Sequence, residues 1–112
     1  MLSGPRALMS GIPTLIGESL TTTGTTQVRS FSVVKNPMAS GRVTFQFYGT
    51  VVALDGNIEC SANGGTTWTL FQGFDFIISP IIDMIANSGF IYRFNISTVT
   101  TPVGLNILAT LS

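Results

Sequence analysis

Three stretches of this chain alternate apolar and polar side chains with a period of two. In the first, Val43, Phe45 and Phe47 point one way and Thr44, Gln46 and Tyr48 the other. In the second, Phe90, Tyr92, Phe94 and Ile96 alternate with Ile91, Arg93, Asn95 and Ser97. In the third, Leu105, Ile107, Ala109 and Leu111 share a face. Successive side chains of a strand point to opposite sides, so this pattern predicts strands with one face buried and one wet. Turn-forming clusters punctuate the pattern: NPMASG at 36–41, Asp55-Gly56, Asn63-Gly64-Gly65, Asn87-Ser88-Gly89 and the break at Thr101-Pro102.

Further strands are expected over 27–35, 57–62, 67–71 and 74–79, which are rich in β-branched and aromatic residues. Residues 81–86 (IIDMIA) fit either one helical turn or an edge strand after Pro80. The total is seven or eight short strands with turn signals roughly every 8–12 residues, the pattern of an all-β antiparallel β-sandwich, jelly-roll-like. No strand–helix–strand unit is visible, which argues against a nucleotide-binding α/β fold. The expected core holds Phe45, Phe47, Trp68, Tyr92, Phe94 and Ile107. Gly49 reads as a bulge or bend, Asp55-Gly56 as a hairpin turn, Cys60 as a small buried hydrophobe in phase with Ile58, and Glu59 as outward-facing.

Residues 1–26 read differently. They are rich in Gly, Ser, Thr and Pro, TTTGTT at 21–26 is low-complexity, and Leu8, Met9, Ile12, Leu15, Ile16 and Leu20 follow no clean period. Pro13 opposes a continuous helix. Burying six side chains falls short of the backbone entropy lost in ordering the whole segment. The expectation is an extended N-terminal arm over 1–26, ordered only against a partner, and a sandwich domain over 27–112. Leu8, Ile12, Leu15 and Ile16 are the expected anchors of that arm.

Charged residues make up 9% of the 112, five basic and five acidic, for a net charge of zero. An average soluble domain carries roughly 25%. So low and balanced a charge argues against nucleic-acid binding and favours self-association or a surface covered by other chains. There is no histidine and one cysteine, so the commonest general base and the cysteine-cluster metal sites are missing. No phosphate-binding glycine loop occurs, and the acidic residues are scattered singly. A non-enzymatic protein without cofactor or metal is expected. Ser10, Gly11 and Pro13 interrupt any signal-peptide core, and no run approaches the ~18–20 apolar residues of a spanning helix. Synthesis in the cytoplasm without membrane association is the expectation.

The most specific local string is Ser61-Ala62-Asn63-Gly64-Gly65-Thr66-Thr67-Trp68. It resembles the Asp-box hairpin, S-x-D-x-G-x-T-W, with Asn63 in the acidic place. That resemblance implies a structural turn held by Ser61, Asn63 and Gly65 with Trp68 packed beneath it. Because Asn63 replaces the acidic residue, no ion is implied there. An alternative use of Trp68, with Tyr48 or Tyr92, is as a stacking platform for sugars.

Taken together, the alternating strand at 43–54, the string I-E-C-S-A-N-G-G-T-T-W-T-L at 58–70, the aromatic strand at 90–96 and the Thr-rich link to a short last strand resemble a small β-sandwich module of tailed-phage virion proteins. The resemblance covers about three quarters of the chain and leaves out the N-terminal segment. It implies a structural protein of the virus particle, made in the host cytoplasm and most simply a capsid cement or decoration protein. Its partners would be the major capsid protein or other virion proteins, with homo-oligomers expected. A neck, tail or fibre component and a carbohydrate-binding sandwich are the alternatives.

Overall fold

The alternating stretches become the long strands of the molecule. The structure, a computed structural model, describes residues 5–34, 41–77 and 81–112. Its strands are β1 (Arg6–Met9), β2 (Thr14–Gly17), β3 (Phe31–Val34), β4 (Arg42–Thr50), β5 (Ala53–Ser61), β6 (Thr69–Asp75), β7 (Ile81–Ile85), β8 (Ile91–Thr100) and β9 (Val103–Leu111). They form two sheets in the orders β1-β3-β8-β5-β6 and β2-β9-β4-β7. Pairing between these strands is antiparallel except between β1 and β3, and Ser10 adds an isolated parallel bridge to Leu111. No helix occurs among the described residues.

Setting β1 aside, the orders 2-9-4-7 and 3-8-5-6 are those of an eight-stranded jelly roll. Every link except the β5–β6 hairpin carries the chain from one sheet to the other. Each strand can therefore present one apolar face to the space between the sheets. Val43, Phe45 and Phe47 from β4, Tyr92, Phe94 and Ile96 from β8, and Leu105, Ile107, Ala109 and Leu111 from β9 are all buried there. Phe94 lies at the centre, its ring 5.0 Å from Phe45 and 5.2 Å from Phe74, both edge-on, the favoured aromatic geometry.

Two glycines mark where backbones pass closely. Gly49 has φ +95°, and the β4–β9 register slips between Tyr48 and Thr50, so the expected bulge is present. A Cβ at Gly49 would overlap the Gly104 carbonyl. Gly56 lies inside β5, not in a turn, and a Cβ there would overlap the Asn95 carbonyl of β8. The sequence predicts a hairpin turn at Asp55-Gly56, but close strand approach is the reason for that glycine. The chain reverses instead at Val51 and Val52.

Other boundaries also move. Residues 67–71 and 74–79 contribute to one strand, β6, which runs through Gly73. The ambiguous residues 81–86 form the edge strand β7. The strand expected over 27–35 is shorter, with Val28 bridging Gly17 before β3 begins. Most of the turn expected at 36–41 lies outside the described residues.

The largest correction concerns the N-terminal segment. A boundary at Gln27 does not describe this architecture: β1 and β2 are edge strands, one in each sheet. Leu8, Ile16 and Leu20 are 0%, 3% and 1% exposed within the common core. Backbone bonds fasten the segment along its length, from Arg6 N to Ser30 O at 2.8 Å, Gly11 N to Leu111 O at 2.8 Å and Leu20 N to Leu105 O at 2.9 Å. Gly24 and Ile96 exchange a pair of such bonds at 2.9 and 3.0 Å. The surface needed to order these residues comes from their own chain.

Candidate interaction surfaces

The hairpin between β5 and β6 is tied by its own side chains. Ser61, 2% exposed, donates from Oγ to Asn63 Oδ1 at 2.8 Å and accepts the Gly65 N–H at 2.9 Å. Asn63 Oδ1 also accepts the Thr67 N–H at 2.9 Å, and its Nδ2 donates to Thr67 Oγ1 at 3.2 Å. Gly64 and Gly65 take φ +74° and +94°, the left-handed backbone that a tight turn requires. Ser61, Asn63 and Gly65 thus come together as expected, and their polar atoms are committed to the turn.

Trp68 does not join the core. It is half-buried on the outer face of the five-stranded sheet, with the Arg93 guanidinium 4.1 Å from its ring centroid. Arg93 Nε donates to Glu59 Oε1 at 2.7 Å, and Asn95 Nδ2 donates to Glu59 Oε2 at 3.3 Å. Glu59 and Arg93 are direct cross-strand partners, where opposite charges attract most effectively. The strand pattern placed Trp68 in the core, which is not where it lies; the ring instead packs against Gly65 beneath the turn, as the Asp-box resemblance implies, and the cation claims one face of the indole. Cys60, opposite Tyr92, is partly buried against the core.

These positions bear on sugar stacking. Tyr92 is fully buried, its hydroxyl accepting the Asn87 N–H at 2.8 Å, so it offers no platform. Tyr48 is 41% exposed but belongs to the four-stranded sheet, whereas Trp68 lies on the outer face of the other. The three aromatic residues do not share a surface.

The outer face of the four-stranded sheet is polar and uncharged at its centre. Its centre carries Thr44, Gln46 and Tyr48 of β4 beside Asn106, Leu108 and Thr110 of β9. Thr44 Oγ1 donates to Asp83 Oδ1 at 2.7 Å, which ties the centre to β7. Side chains from this face offer amides, hydroxyls and a phenol to any partner.

The lateral edges are stickier. Of the four expected arm anchors, Leu8 and Ile16 are in the core, while Ile12 and Leu15 are 54% and 45% exposed. At the opposite edge, a groove of about 290 Å³ opens between β6 and β7, lined by Phe74, Ile82, Gln72, Asp75 and Asp83 among others. The sequence reading missed Asp75 and Asp83 as a pair because they are eight positions apart on strands of different sheets. Only the jelly-roll order places those two strands at one edge. Among the described residues, no three of His, Cys, Asp and Glu gather in a metal-holding group.

Comparison with protein-family models, with curated proteins and with solved structures yields no match for this chain.

Proposed function

We propose that this chain is a non-enzymatic structural protein of a virus particle, a capsid cement protein that binds and stabilises the shell. The observation that supports this reading most is a jelly roll with an adhesive exterior. Among the described residues, twelve large apolar side chains are 37–65% exposed, on a chain with only five basic and five acidic residues. A free monomer with so few charges is poorly protected from association, and exposed apolar surface marks sites of contact with other chains. The jelly roll is also a common architecture of viral shell proteins, a fold-level analogy only.

In this reading, the outer face of the four-stranded sheet lies on the shell. Its exposed Gln46 and Tyr48 and half-buried Asn106 would meet polar groups of the major capsid protein. The experiment is to add the purified protein to shells that lack it and follow binding and shell melting. Saturable binding with a raised shell melting temperature is expected. No binding, together with specific glycan capture on an array, would replace this reading with the carbohydrate-binding one.

A further inference from the structure

The exposed apolar side chains are not scattered evenly. Four of the twelve, Met9, Ile12, Leu15 and Val34, lie along the β1–β2 edge or on the strand beside it. Five more, Leu70, Phe71, Ile77, Ile81 and Ile85, lie along the β6–β7 edge. Nine of the twelve thus cluster at the two opposite ends of the sheet orders.

The charges at these two ends are opposite in sign. At the first, Arg6 is exposed on β1, and Arg29 lies beside β2 with its N–H bonded to the Ile16 carbonyl. One acid, Glu18, accompanies them. At the second, Asp75 and Asp83 flank the groove, no basic residue lines it, and one base, Arg42, stands opposite Ile85 on the next strand. We infer that two copies of this chain meet head to tail, the β1–β2 edge of one seated against the β6–β7 edge of the next. Apolar side chains supply the contact, and the opposed charges choose its orientation, since two like edges would repel.

The contact uses side chains in preference to strand addition. The Gln72 side-chain amide reaches across from β6 and donates to the Asp83 carbonyl at 3.1 Å, which caps part of the β7 backbone edge. A standard interface takes about 800 Å² from each partner. Two such edges would use little more than a quarter of the 5905 Å² accessible surface. Because the two contacting surfaces differ, the association is heterologous and either closes into a ring or continues.

The inference does not depend on the virion reading, and its test uses the isolated full chain. Sedimentation velocity should show concentration-dependent association that weakens as salt is raised. Reversing one edge (Asp75→Lys with Asp83→Lys) or the other (Arg6→Glu) should weaken self-association at least tenfold, with the circular dichroism spectrum unchanged. An equimolar mixture of the two variants should associate again, because each supplies the edge the other lacks. If the double lysine variant fails to fold, Asp75→Asn with Asp83→Asn takes its place with weakened association expected. A wild-type chain that stays monomeric at millimolar concentration overturns the inference. So do edge variants that associate like wild type, or a mixture that stays dissociated.

Discussion

Replacing Leu8 by alanine asks whether the first strands belong to the sandwich. Leu8 is fully buried, and Ile12, four residues later, is 54% exposed. Truncating a buried leucine removes its transfer energy and leaves a cavity, for about 2–5 kcal/mol. An exposed position away from any special contact changes stability by about 0.5 kcal/mol or less. With urea m-values of about 1–3 kcal/mol/M, a loss of about 3 kcal/mol moves the midpoint by roughly 1–3 M. Equilibrium urea melts of Leu8→Ala and Ile12→Ala should therefore differ widely although the residues are near neighbours. Deleting residues 1–26 is the stronger perturbation. It removes two edge strands and the buried Leu8, Ile16 and Leu20, each contributing about 1.5–3 kcal/mol. That sum reaches the lower part of the ~5–15 kcal/mol that holds a whole domain folded. The fragment 27–112 should lack a cooperative melt. Equal melts for the two alanine variants, or a fragment as stable as the full chain, would refute the reasoning.

Three further outcomes are expected. Gly49→Ala should lose roughly 1–3 kcal/mol from its left-handed backbone alone, and more from overlap with the Gly104 carbonyl, read as a lower melting temperature. Ser61→Ala leaves the Gly65 N–H without its acceptor and should cost about 1–3 kcal/mol in a urea melt. Burial pushes the Tyr92 phenol above its ordinary value, the Asn87 N–H opposes this, and Cys60 adds to the rise. The fold therefore favours the protonated phenol. Its contribution is complete below the unfolded value of about 10 and is lost as pH rises through the higher folded value. Tyr92→Phe should flatten the fall in urea midpoint at alkaline pH, and an unchanged slope would count against this assignment.

The long strands were legible because one face of each is buried and the other wet, so Val43, Phe45, Phe47, Phe94 and Ile107 announce their own direction. The first two strands were not. Each has four residues, Pro13 separates them, and neither is long enough to establish a period. The apolar residues of 1–26 are too few to order the segment by themselves, but no partner is needed, because both sheets of the same chain supply the surface. Trp68 lies beneath the turn its string describes but outside the core, because the strand pattern is silent about Arg93, 25 positions later, whose guanidinium reaches the indole only after β5 and β8 pair. Gly56 shows the same limit: a glycine for a turn and a glycine for close strand approach look alike until the neighbouring strand is placed. The hairpin at 61–67 was legible because all its partners lie within six residues.

The proposed role is tested most directly by quantitative mass spectrometry of particles purified through successive density gradients. The account predicts this chain in every intact particle, at a fixed ratio to the major shell protein that survives each step. Its absence from those particles, or a ratio that falls towards zero with purification, would contradict a structural role in the shell.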